Sequence, residues 1–98
     1  MHVRWLTTAL RNLDFEAEYI ARDNPEAAAR IVVSIRDAVK RLASFPAMGR
    51  AGRVPGTREL VVSGTPYIVP YRVRGDEVQI LRVFHGARKW PRRFEAEE

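Results

Sequence analysis

The fold is decided by residues 58–85, which read RELVVSGTPYIVPYRVRGDEVQILRVFH. Apolar and polar side chains alternate through much of this stretch, and a period of two is typical of β-strands. Turn-forming sequences divide it at 63–66 (SGTP) and at 75–76 (GD). We therefore expect an antiparallel meander. Its three strands should lie at 58–62, 67–73 and 78–84.

Two further features bear on this sheet. Pro70 cannot donate a backbone hydrogen bond, so the second strand should lie at an edge of the sheet or be bulged there. Residues 3–6 can form a short strand that joins the meander as a fourth. Residues 46–56 hold three glycines and two prolines among eleven residues, so they should form an irregular loop, with the glycines acting as hinges.

Two amphipathic helices separate the first strand from the meander. Their apolar side chains recur at intervals of three or four residues, at Leu6, Leu10, Leu13, Ala17 and Ile20 and then at Ile31, Ile35, Val39 and Leu42. Thr7 or Thr8 offers an N-cap hydroxyl to the first helix, and Asn24 before Pro25 is typical of a helix start. The short connection predicts an antiparallel pair.

The expected fold is therefore an α+β domain of order β-α-α-β-β-β, in which the N-terminal strand and helical hairpin pack on the three-strand meander. A single domain should span residues 1–98, because two cores would be too small to be stable at this length. Residues 86–98 form its C-terminal tail.

Composition excludes several classes of function. There is no cysteine, which excludes disulfides, thiolate metal sites and a cysteine nucleophile. The two histidines, His2 and His85, show no metal-ligand spacing, and the glycines match no phosphate-binding loop, so we expect no metal and no cofactor. No apolar run approaches the ~18 residues of a membrane span, and no signal peptide is evident. We expect a cytoplasmic protein without a membrane partner.

Charge is unevenly distributed along the chain. Residues 1–45 carry a net charge of +1, residues 46–94 carry +7 and residues 95–98 carry −3. Fifteen of the 17 cations are arginine, whose planar group of donors matches phosphate and carboxylate oxygens. A polyanionic partner is indicated, either a nucleic acid or an acidic protein segment. The candidate RNA-binding residues are Arg50, Arg53, Arg72, Arg88 and Trp90.

Four residues form a candidate catalytic group: His85, Arg82, Arg58 and Lys89. If the strands bring them together on the face that the helices leave uncovered, they suit metal-independent RNA cleavage. His85 would move the proton of the attacking 2′-hydroxyl, while Arg82 and Arg58 would stabilise charge on the phosphate. The alternative is structural, because a histidine at a strand end and an arginine at a strand start often only satisfy neighbouring groups.

The strands resemble those of the RelE/ParE superfamily of bacterial toxins. The resemblance rests on the segments 56–62 (GTRELVV), 67–73 (YIVPYRV), 78–85 (VQILRVFH), 23–28 (DNPEAA) and 45–49 (FPAMG). It implies the toxin of a type II toxin–antitoxin pair, in a hetero-oligomer with its cognate antitoxin. That antitoxin would be acidic, wrapping the toxin and covering its basic surface.

Two activities are known in that superfamily. RelE-like members are ribosome-dependent mRNA endonucleases, whereas ParE-like members poison DNA gyrase without nuclease activity. The group of His85, Arg82, Arg58 and Lys89 favours an endonuclease acting on the ribosome and mRNA. The C-terminal tail, however, lacks the tyrosine that RelE-like toxins often carry, and the gyrase poison remains the alternative.

Overall fold

The structure is a computed structural model that describes residues 1–94, so the acidic residues 95–98 lie outside the described part. The chain forms two helices against one sheet, which confirms the expected α+β fold. In order, the elements are β1 (His2–Trp5), α1 (Thr7–Ala21), α2 (Pro25–Lys40), a 3₁₀ turn (Arg41–Ala43), β2 (Arg50–Ala51), β3 (Arg58–Val61), β4 (Tyr67–Arg74), β5 (Glu77–Ile80) and β6 (Phe84–His85).

The sheet has the order β1-β5-β4-β3-β2, and β6 also pairs with β4. The strands β3, β4 and β5 form the expected antiparallel meander, and β1 joins it as the expected fourth strand, parallel to β5. The prediction that residues 46–56 contain no regular element was wrong, because β2 pairs with the start of β3. Two residues between glycines suffice for this pairing, which a composition argument misses.

Pro70 lies in the central strand β4, so the edge alternative was wrong, and the bulge falls on the partner strand. Tyr71 pairs with Ile80 and Tyr67 pairs with His85, which leaves one extra residue on the β5–β6 side. The Leu81 N–H donates to the Pro70 carbonyl at 3.0 Å, and such a pair normally exchanges a second bond. Pro70 cannot supply it. Instead, Nη1 of Arg82 donates to the Leu81 carbonyl at 2.6 Å.

The two helices begin differently. At α2 the prediction is confirmed, because Oδ1 of Asn24 accepts a hydrogen bond from the Ala27 N–H at 3.0 Å. At α1 the predicted threonine cap was wrong: the N-cap residue is Leu6, which makes no side-chain cap bond. Only Leu6, which is fully buried, separates β1 from α1. Thr7 is therefore already helical and cannot be the cap.

The core lies between the helices and one face of the sheet. Residues from both layers share it, including Leu13, Ile35, Val39, Leu42, Leu60, Val69, Tyr71, Val78 and Ile80. Leu10 of the expected apolar stripe is 46% exposed and lies outside this core. Because side chains alternate along a strand, the residues between the core positions project from the opposite side, which we call the outer face. It carries Arg4, Glu59, Ile68, Arg72, Gln79 and Phe84. No helix within residues 1–94 has the length and apolarity needed to cross a membrane.

Candidate binding surface

One buried carboxylate organises the arginines at the β2 end of the outer face. Glu59 is 1% exposed, and its Oε1 accepts hydrogen bonds from Nη2 and Nε of Arg50 at 3.0 and 3.2 Å. Its Oε2 accepts the Arg53 N–H at 2.7 Å and lies 3.5 Å from Nε of Arg53. Both arginine side chains stay about half exposed, at 55% and 44%. They are therefore held in place while still presenting donors to a partner.

A second polar row crosses the middle of the outer face. Register places Arg4, Gln79 and Arg72 side by side on β1, β5 and β4. Nε of Arg72 donates to Oε1 of Gln79 at 2.7 Å, and Nε2 of Gln79 donates to Oε1 of Glu77 at 2.7 Å. Nε of Arg4 also donates to that oxygen, at 3.0 Å. The hydrogen bond from Gln79, followed by that from Arg4, lowers the pKa of Glu77.

The C-terminal segment, residues 86–94, packs on the β6 end of this face. The Trp90 ring meets Phe84 edge-on, with 5.1 Å between ring centroids, and the Arg53 guanidinium lies 4.1 Å from the Trp90 centroid. Arg88 lies over the Phe84 ring at 4.8 Å. The segment is therefore joined to the sheet by aromatic and cation–π contacts. Arg82, Arg88, Lys89 and Trp90 all line one cavity here.

Arg58 lies on the helix side of the sheet. It pairs with the core residue Tyr71, and directly opposed residues in a sheet share a face. Its Nη1 donates to the carbonyls of Gly49 at 2.8 Å and Ala47 at 3.4 Å. The Tyr71 hydroxyl donates to the Pro46 carbonyl and accepts the Gly49 N–H, both at 2.8 Å. Arg58 and Tyr71 together anchor the chain that leads into β2.

His85, on β6, also lies on the helix side, opposite a β4 position four residues before Tyr71. It pairs with Tyr67, and the two rings meet edge-on at 5.7 Å. Its Nδ1 accepts the Ala87 N–H at 3.2 Å, which leaves Nε2 as the ring nitrogen open to a proton-transfer role. Strand geometry separates the His85 and Arg58 backbones by about 13 Å along β4.

The structure thus divides the nine predicted site residues into three places. Arg50, Arg53 and Arg72 share the outer face; Arg82, Arg88, Lys89 and Trp90 surround the cavity at its end; Arg58 and His85 lie on the helix side. Arg82 and Arg58, the two arginines predicted to bind the same phosphate, therefore lie in different places. Within residues 1–94 no group of three potential metal-ligating side chains forms.

Sequence reasoning missed the residues that hold these arginines. The sequence patterns predict no role for Glu59 or Gln79. Gly49 was interpreted as a hinge, yet a Cβ there would lie 2.6 Å from the Tyr71 ring and 2.9 Å from the Glu59 carbonyl. An acidic residue within a buried strand, at Glu59, was the available signal.

Comparisons with known proteins agree on one family. The family model for the ParE toxin of the type II toxin–antitoxin system parDE matches residues 3–90. The putative toxin Y4kP of Sinorhizobium fredii is 52% identical over 89 residues, covering 91% of this chain and 92% of that protein. Toxin RelE2 of Caulobacter vibrioides is 37% identical over 86 residues, covering 88% and 96%.

A solved structure leads to the same family. A chain from the chromosomal ParDE toxin–antitoxin system of P. aeruginosa superposes with a TM-score of 0.77 and 35% sequence identity, covering 87% of this chain and 95% of that chain. The matched residues include the whole meander and both helices. The chain therefore belongs to the ParE toxin family, within the RelE/ParE superfamily, and is a toxin of a type II toxin–antitoxin system.

Proposed function

We propose that this toxin is a ParE-like poison of DNA gyrase that acts by binding and not by cutting RNA. The observation that carries the proposal is the position of Arg58 and His85, which lie on the helix side while Arg50, Arg53 and Arg72 occupy the outer face. The family model and the ParDE neighbour support the same choice. Because gyrase acts on the chromosome, this function places the toxin in the cytoplasm.

The geometry disfavours a shared phosphate site on chemical grounds. Transesterification of RNA needs a proton-transfer group and cations within hydrogen-bond reach of one phosphate. The Arg58 guanidinium is engaged by the Gly49 carbonyl at 2.8 Å, and Arg82 donates to Leu81 beside the bulge. Both bonds serve the protein's own backbone, which supports a structural role for these two arginines over a shared catalytic one.

The outer face has the properties of a protein-binding surface. Glu59 fixes Arg50 and Arg53, and Gln79 orients Arg72, before any partner arrives. Holding arginines in place beforehand reduces the entropy lost on association, and arginine is a frequent hot-spot residue in interfaces. We assign this surface to the target and, in the neutralised state, to an acidic cognate antitoxin that covers it.

A supercoiling assay with purified gyrase and the purified toxin tests the proposal. We expect inhibition with accumulation of cleaved DNA. Arg72→Ala should weaken inhibition about tenfold, the scale of a lost interface hot spot, whereas His85→Ala should leave it unchanged within about twofold. Unchanged gyrase activity at saturating toxin would reject the proposal.

The likeness to toxin RelE2 keeps mRNA cleavage on the ribosome as a second candidate. In that case Arg82, Arg88, Lys89 and Trp90 would contact RNA around the cavity, and His85 would transfer the proton. Translating ribosomes incubated with the toxin would then yield cut mRNA, and His85→Ala would abolish cutting while the thermal melt stays normal. Intact mRNA in this assay would exclude the endonuclease.

A further inference from the structure

A cavity of about 570 Å³ opens where the C-terminal segment meets the start of α1. Its wall includes four cationic side chains, Arg82, Arg88, Lys89 and Arg93, beside the aromatic residues Phe84 and Trp90. No carboxylate is among the described residues that line it. Concave sites of this size accommodate small-molecule ligands.

The cations here are held differently from those on the outer face. Arg4, Arg50 and Arg53 each pair with a carboxylate. Arg88 instead lies over Phe84 at 4.8 Å. An aromatic face positions a guanidinium without neutralising its charge. Within residues 1–94 no ion pair involves Arg88, Lys89 or Arg93.

The amide oxygen in the wall is already engaged, because Oδ1 of Asn12 accepts the Val83 N–H at 3.1 Å. The indole N–H of Trp90 is buried and has no hydrogen-bond partner in the described part of the chain. Thr8, in the first turn of α1, lines the cavity as well, and that turn contains no acidic residue. The positive end of the helix dipole therefore adds to the charge of the four cations.

From this combination we infer a binding site for an oligophosphate, a ligand with two or more linked phosphate groups. Phosphate oxygens are acceptors that match guanidinium groups in pairs, and several of them would use the donors that the wall presents. Three cations in one wall that form no ion pair within residues 1–94 suit several negative charges better than a single phosphate. This cavity lies apart from Arg50, Arg53 and Arg72, the outer-face arginines that we assign to gyrase, so the inference goes beyond the proposed gyrase poison.

Calorimetric titration of the purified chain at constant ionic strength tests this inference. The probes are inorganic tripolyphosphate, ATP, inorganic phosphate and a short polyglutamate peptide. Tripolyphosphate should bind at least about tenfold more tightly than inorganic phosphate, as expected from additional charge-assisted hydrogen bonds. If ATP binds more tightly than tripolyphosphate, the ligand is a nucleotide; equal binding identifies the phosphate chain alone, and either result supports the site.

Paired variants locate the binding. Arg88→Ala combined with Lys89→Ala should weaken tripolyphosphate binding about tenfold or more. Arg30→Ala combined with Arg36→Ala removes the same charge from exposed positions on α2 and should change binding less than about twofold. All four residues are exposed, and thermal melts verify that both variants fold.

Three outcomes would overturn the inference. They are no binding of either oligophosphate, equal losses in the two double variants, and polyglutamate binding as tightly as tripolyphosphate. The last would identify an acidic protein segment as the occupant.

Discussion

Glu59 and Arg53 are joined at two points, because the same carboxylate oxygen accepts the Arg53 N–H at 2.7 Å and lies 3.5 Å from its Nε. The other oxygen binds Arg50. One buried side chain on β3 therefore sets the backbone that leaves β2 and the direction of two outer-face arginines. The Arg53 guanidinium in turn lies over the Trp90 ring, 4.1 Å from its centroid.

Replacing Glu59 with alanine should destabilise the protein. The change leaves the Arg53 N–H without its acceptor and removes the charge that pairs with two arginines, so we expect the free energy of unfolding to fall by about 2–4 kcal/mol. Urea denaturation measures it. Asp14→Ala, at an exposed position on α1, is the control and should change stability by less than about 0.5 kcal/mol. Equal small effects would contradict the anchoring role.

Gly49 should not tolerate a side chain. An alanine Cβ would approach the Tyr71 ring and hydroxyl to 2.6 Å, and both groups are fixed in the core. We expect Gly49→Ala to lower the free energy of unfolding by about 1–3 kcal/mol, as overpacking does. Gly86→Ala is the matched control, because its closest contact would be the Pro66 carbonyl at 3.3 Å. A Gly49→Ala protein as stable as the control would contradict this packing constraint.

Stability should decline at alkaline pH. Burial, together with the hydrogen bond to Glu16, raises the pKa of Tyr67 from 10.0 to about 12, and burial also raises the pKa of Tyr71. Between pH 10 and pH 12 Tyr67 stays protonated in the folded protein but loses its proton in the unfolded chain. Its contribution to the free energy of unfolding is therefore fully present below pH 10 and is lost as pH rises towards 12. Urea midpoints across this range measure the slope, which Tyr67→Phe should reduce. If the slope is unchanged in that variant, groups other than Tyr67 cause the decline in stability.

Arg82 and Pro70 should be energetically coupled. Arg82→Ala leaves the Leu81 carbonyl without its donor at 2.6 Å, which should cost about 1–2 kcal/mol. In a Pro70→Ala background the new N–H faces that carbonyl, so the same change should cost less. A double-mutant cycle in urea measures the coupling. Identical costs in the two backgrounds would show that Arg82 does not compensate for the proline.

Local patterns predicted most of the fold. The helices and the meander followed from periodicity and turn residues, and Gly75 adopts the positive φ of +59° that its hairpin turn requires. The bulge was harder to place because it arises from pairing between strands. Pro70 predicted a bulge on its own strand, whereas the adjacent buried residues Ile80 and Leu81, which break the alternation of apolar and polar residues, mark the strand that carries it.

The candidate site was less predictable, because its geometry depends on register. Arg58 faces the helices only because it pairs with Tyr71, and His85 does so because it pairs with Tyr67. A shift of one residue would have placed either side chain on the outer face. Composition correctly located the cationic half of the chain, but residue spacing carries no information on which carboxylate or ring will hold each arginine.

The most direct test of the account compares two responses in cells that express this toxin: induction of the DNA-damage response and the rate of protein synthesis. A gyrase poison should induce the damage response first, while synthesis continues and mRNA stays intact, and the His85→Ala variant should behave in the same way. Immediate arrest of synthesis with cut mRNA and no DNA damage, abolished by His85→Ala, would contradict the account.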